Sequence, residues 1–114
     1  MHEQVAATWL EARGLQLLQR NFGCRMGEID LIMTDGTVLV FVEVRYRRSA
    51  RFGSAVETVD FHKRRRLLRC AHFYLATRGN PDLSWRFDVL GISPAPRSVP
   101  SHLHFDWIQN AFCE

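Results

Sequence analysis

The stretch that most limits what this chain can fold into runs from Gly27 to Arg47, GEIDLIMTDGTVLVFVEVRYR. It reads as two apolar strands joined at Asp35-Gly36, a dipeptide that favours tight turns between antiparallel strands. A two- or four-residue loop centred there pairs Thr34 with Thr37 or Met33 with Val38. Both choices continue to Asp30 opposite Phe41 and Glu28 opposite Glu43. Opposed residues share a face and strand side chains alternate, so Asp30, Glu43 and Arg45 project to one side. The two acids then stand as diagonal neighbours about 7–8 Å apart at the backbone. A loop with an odd number of residues would send them to opposite faces.

Val38 to Val42 is an unbroken apolar run, which suits a strand covered on both faces. An acid and an arginine set into such a strand are costly unless they are partnered or put to use. Two carboxylates converging from that separation can hold one hard divalent cation, Mg²⁺ or Mn²⁺, an ion that keeps several waters and meets phosphates. The plainer alternative is an acid paired with Arg45 on a wet face. The apolar surroundings favour a site.

The net charge of +3 hides a sharp asymmetry. Residues 45–69 hold eight arginines and Lys63 against Glu57 and Asp60, whereas the segments on either side are net acidic. Lys63 is the sole lysine. Arginine is the side chain best suited to forked contacts with phosphate. A basic block beside an acidic, metal-capable pair fits a polyanion brought to a metal.

At 114 residues the chain is long enough for one domain with its own core, residues 1–114 as a unit. No apolar run approaches the roughly 20 residues of a membrane span. The opening Met-His-Glu-Gln enters a helical pattern with no signal-peptide apolar core, which reads as cytoplasmic. Cys24, Cys70 and Cys113 are widely spaced and form no Cys-x-x-Cys, predicting reduced packing cysteines and neither a zinc site nor a disulfide.

Along the chain, His2 to Arg13 has the apolar spacing of an amphipathic helix closed by Gly14, with Glu3 in its first turn. Leu15 to Phe22 predicts a strand, with Leu15, Leu17 and Leu18 as its apolar residues. Arg47 to Val59 has no clean period and reads as a loop carrying Arg47, Arg48 and Arg51 to the mouth of the site. Asp60 has the residue type of an N-cap for a helix reaching Thr77 or Arg78, ended by Gly79 with Pro81 beyond. Its buried stripe is Leu67, Leu68, Ala71, Tyr74 and Leu75, leaving Lys63, Arg65, Arg66 and Arg69 largely off it. Lys63 sits in the first turn, where a cation is disfavoured by the helix dipole. His62 and His72 lack metal-ligand spacing. Leu83 to Ser93 predicts another strand with Asp88 as a structural acid, His102 to Phe105 an edge strand, and Asp106 the cap of a final helical turn through Phe112. The order of elements predicts an α/β fold with a mixed sheet.

Gly27-Glu28-Ile29-Asp30-Leu31-Ile32, Phe41-Val42-Glu43-Val44-Arg45-Tyr46-Arg47, Lys63 and Arg86-Phe87-Asp88-Val89 together resemble the YraN family over nearly the whole chain. These are small bacterial proteins regarded as endonucleases and similar in fold to archaeal Holliday junction resolvases. The resemblance implies a restriction-endonuclease-like α/β/α sandwich with a central mixed sheet. It places the metal-binding aspartate on Asp30, the Glu-x-Lys glutamate on Glu43 and an additional helix ligand on Glu3. The lysine of that motif is replaced by Arg45, and no proline precedes Asp30. Arginine stabilises developing negative charge but stays protonated and cannot act as a base. Lys63 could supply the missing ammonium if its helix faces the hairpin.

The resemblance therefore implies a Mg²⁺- or Mn²⁺-dependent DNA endonuclease, with Asp30, Glu43, Arg45 and Lys63 catalytic and Glu3, Asp30 and Glu43 on the metal. Arg47, Arg48, Arg51, Arg65, Arg66 and Arg69 would contact nucleic acid. Resolvase-like relatives pair as dimers, which extends the expectation to a homodimer. The competing class is a nucleic-acid-binding protein that keeps the fold without efficient chemistry. A scaffold protein with no nucleic-acid partner is the third.

Overall fold

A computed structural model describes residues 2–48, 55–78, 82–95 and 102–112. The chain runs α1 (His2–Glu11), β1 (Gln16–Cys24), β2 (Gly27–Asp35), β3 (Val38–Tyr46), a 3-10 turn η1 (Ala55–Thr58), α2 (Phe61–Thr77), β4 (Trp85–Pro94) and β5 (Leu103–Ile108). The strands form one sheet in the order β1-β2-β3-β4-β5, antiparallel except for the parallel pair β3–β4. This is an α/β fold on a mixed five-stranded sheet.

The hairpin forms with its turn one residue later than its sequence suggests. Asp35 pairs with Val38, leaving Gly36 and Thr37 as a two-residue loop. Gly36 takes φ +62°, the left-handed conformation that such a turn requires at its first loop position. The register is therefore two residues from the expected one. An even shift leaves each paired side chain on its face, and it leaves Asp30 just beyond the end of the described ladder at Leu31↔Val42, no longer opposite Phe41.

Alternation along β3 explains why both faces are covered. Leu39 and Phe41 join a core with Leu67, Ala71 and Tyr74 of α2, whereas Val40 and Val42 join a second core with Ala6, Ala7 and Leu10 of α1. The helices thus lie on opposite faces of the sheet. At about 25 cal/mol per Å² of apolar surface removed from water, these two layers are the main stabilising term. On the α1 side, Trp9 stacks on Phe105 at 4.8 Å and meets Trp107 edge-on at 5.9 Å, sealing β5 to the helix.

β4 lies parallel beside β3, with Phe41 level with Phe87 and Glu43 level with Val89. Gly91 is needed there: a Cβ on it would stand 2.5 Å from the Ala55 Cβ, so only glycine lets η1 rest on the strand. Asp88 is fully buried and ties three segments together. Arg86 Nε donates to it at 3.0 Å, Trp107 Nε1 at 3.0 Å and the Asn110 backbone N–H at 2.9 Å. Its structural reading holds.

Three local expectations are corrected. Leu18 is 53% exposed, because the β1–β2 register slips between Leu17 and Gln19 and bulges it out of the ladder. Residues from Leu103 to Ile108 form a full strand, so Asp106 pairs opposite Gly91 and caps no helix. Cys24 of β1 and Cys70 of α2 are bonded to each other, with Cα atoms 6.0 Å apart, where unpaired cysteines were expected. Asp60 does cap α2, its side chain accepting the Lys63 N–H at 2.8 Å. Gly79, Pro81 and Cys113 lie outside the described residues.

Candidate functional site

Strict alternation in β2 breaks at Asp30. Ile29 and Ile32 both belong to the α2-side core, with Leu31 and Met33 on the other. Asn21 falls opposite Asp30 in β1 and takes φ +53°, a conformation asparagine tolerates better than most residues. The described β2–β3 pairing stops at Leu31↔Val42, and the Asp30 side chain takes over where the ladder ends. Its Oδ2 accepts the Val44 backbone N–H at 2.8 Å.

Glu43 is 2% exposed and faces α2. Lys63, one turn into that helix, donates from Nζ to Glu43 Oε2 at 2.9 Å, and Arg45 Nη1 stands 3.5 Å from the same oxygen. An N-cap aspartate that accepts the Lys63 N–H sets the angle at which α2 presents this side chain. The Asp30 carboxyl is raised from 3.8 to about 7, first by burial and then by the negative charge of Glu43. The Val44 N–H opposes this, while a hydrogen bond shared with Glu43 and a weaker repulsion from Glu3 add to it. Asp30 and Lys63 line a cleft of about 320 Å³ with Glu28, Arg66 and Leu67.

Arg45 is occupied elsewhere. Its Nε donates to Thr58 Oγ1 and its Nη2 to the Thr58 carbonyl, both at 3.0 Å, and Thr58 Oγ1 in turn bonds the Ala55 carbonyl at 2.6 Å. The arginine in the lysine position of the hairpin motif therefore holds η1 against β3. The cation closest to Glu43 comes from α2.

A model of Uncharacterised protein family UPF0102 matches residues 2–92. The chain belongs to UPF0102. This is the family that the YraN resemblance pointed to. A UPF0102 protein of Chromohalobacter salexigens is 50% identical over 110 residues, covering 96% of this chain and 85% of its own length. UPF0102 proteins of Nitrosococcus oceani and Symbiobacterium thermophilum are each 48% identical, covering 96% of this chain and 86% and 91% of themselves. The UPF0102 match spans α1 through most of β4, and with them Glu3, Asp30, Glu43, Lys63 and Asp88.

Within this UPF0102 chain the site residues named from sequence divide clearly. Asp30, Glu43 and Lys63 meet at one place, with Glu3 near enough to repel Asp30. Arg65, Arg66 and Arg69 are exposed on α2, and Arg48 is exposed beyond β3. Arg47 is half-buried instead, its Nη2 lying 3.7 Å from where a Cβ on Gly91 would be. Arg51 lies outside the described residues. Among the described residues, no three of His, Cys, Asp and Glu cluster as a metal-holding group. The donors present are Asp30 and Glu43, and their mutual repulsion is what a hard cation would relieve. Sequence reading missed Thr58 as the partner of Arg45 and Val44 as the donor to Asp30. Neither leaves a pattern, since one is a backbone group and the other lies across a loop.

Proposed function

We propose that this protein is a metal-dependent endonuclease of DNA, built as a restriction-endonuclease-like sandwich and working in the cytoplasm on structured or branched substrates. The observation that carries this reading is the 2.9 Å approach of Lys63 Nζ to Glu43 beside Asp30, whose carboxyl is pushed up by burial and by Glu43. Asp30 and Glu43 are the residues that would hold Mg²⁺ or Mn²⁺, with Glu3 behind them. Such an ion, when bound, supplies an activated water and offsets charge on the phosphate. Asp30 gives up its proton as it takes up a cation, so binding strengthens as pH rises through about 7. Lys63 holds Glu43 in place and presents a positive charge at the cleft, the role of the lysine that Arg45 replaces. Arg66 at the cleft wall, with Arg65 and Arg69 beyond it, offers phosphate contacts. A homodimer would present two such clefts to a symmetric junction.

The test is cleavage of linear, flapped and four-way DNA with Mn²⁺, comparing wild type with Glu43→Gln. Metal-dependent cutting that is lost in the variant, with DNA binding retained, is expected. No cleavage of any substrate by wild type, or equal cleavage by both, refutes the reading. A binding protein without chemistry is the second reading, favoured by the absence of a three-ligand cluster among the described residues. In that case DNA affinity persists without metal and falls steeply with salt.

A further inference from the structure

Three concavities run in a row along α2. The cleft with Asp30 and Lys63 shares Arg66 with a shallow depression of about 330 Å³, which shares Arg65 and Arg69 with a third groove of about 410 Å³. The third groove differs in chemistry: Phe61, Leu68 and Phe112 line it, alongside Arg64, Arg65 and Arg69. Phe61 is 65% exposed, a large apolar ring left in water at the start of the helix. The Arg65 guanidinium lies 5.6 Å from that ring. Arg64 is held by the Val59 carbonyl at 2.7 Å and the Val56 carbonyl at 3.0 Å, with its guanidinium 5.5 Å from the Phe112 ring. The result is an apolar slot, one wall fixed and flat, opening onto a line of exposed arginines that leads to the paired carboxylates.

We infer that this slot receives an unpaired base of single-stranded DNA whose backbone crosses Arg69, Arg65 and Arg66 to reach the acid cleft. Aromatic faces stack any base, and cations spaced beside them take the phosphates. Duplex DNA cannot fill the slot, because its bases are already stacked on one another. The inference rests on the nucleic-acid reading of the cleft and deepens it, selecting substrates that carry a single-stranded segment beside the point of attack. Phe61, Arg65 and Leu68 stand at helical spacing along α2, with Leu68 at the margin of its buried stripe.

The test is fluorescence anisotropy in EDTA with three labelled probes: a thymidine oligonucleotide of about ten residues, the same strand with abasic positions, and a duplex of equal length. Wild type should bind the thymidine strand more tightly than the abasic one. Phe61→Ala should weaken the thymidine strand by about 5- to 100-fold and leave the other two unchanged. Glu43→Gln should keep the base preference while Mn²⁺-dependent cleavage disappears, which separates failure of the slot from failure of the nuclease reading. Equal affinity for thymidine and abasic strands overturns the inference. So does a Phe61→Ala effect that is the same on all three probes, or one seen only as a change in oligomeric mass, which would make the slot a contact between copies.

Discussion

Asp30→Asn is expected to stabilise the protein, and only above acidic pH. The Asp30 carboxyl is raised from 3.8 to about 7 by burial and by Glu43, so the unfolded chain releases this proton first. The sign follows from linkage: a folded-state value above the unfolded one means stability is lost as pH climbs from about 4 to about 7, then stays lower. The whole interval corresponds to about 4 kcal/mol. Solvent reaching the carboxyl and its sharing with Glu43 reduce this to about 2 kcal/mol. Asparagine removes the charge but keeps an oxygen for the Val44 N–H, so the gain is not offset by a lost hydrogen bond. It amounts to a rise of roughly 8 °C in Tm for a chain of this size. Urea unfolding of both proteins at about pH 4 and about pH 8 measures it. No gain in the variant at the higher pH, or an equal gain at the lower, would mean that Asp30 is not held above its ordinary value in the folded protein. Mn²⁺ should stabilise wild type more than the variant, because only the carboxylate pair has a repulsion to relieve.

Three further outcomes are expected. Lys63→Met should lower metal-dependent cleavage by about 100-fold or more while changing duplex affinity only slightly, and retained cleavage would remove Lys63 from the site. Asp88→Ala should cost about 3 kcal/mol in denaturant unfolding, because it leaves Arg86 partly buried without its main partner and unbonds Trp107 Nε1 and the Asn110 N–H. Thiol titration of denatured, unreduced protein should find one cysteine of the three, since Cys24 and Cys70 are bonded; three would show that the bond does not form.

The hairpin was legible because its information is local: an apolar run, a glycine at the turn and a period of two. Turn position shifted by one residue and register by two, an even shift that keeps the faces of the paired residues, and the acids still meet where the ladder ends. The cap at Asp60 was equally local. What escaped depends on contacts between distant segments. Asp106 has the residue type of a helix cap, but the chance to add β5 beside β4 and seat Trp107 on Asp88 prevails over that preference. Spacing alone separated Cys24 from Cys70, and packing of α2 over the end of β1 brings them together. The cation beside Glu43 was half legible: Lys63 is the expected source of the ammonium, but nothing in the order Glu43-Val44-Arg45 says that the arginine turns to Thr58.

That exchange of cations has a mechanical consequence. The acids ride on the sheet and the ammonium rides on a helix, so their spacing is a property of how two layers seat and not of either layer alone. Ala71, fully buried where α2 meets the sheet, acts as the spacer. A bulkier side chain there would lift the helix and draw Lys63 off Glu43 without altering any group in the cleft. Tuning from beneath of this kind is closed to a protein that carries both charges on one strand.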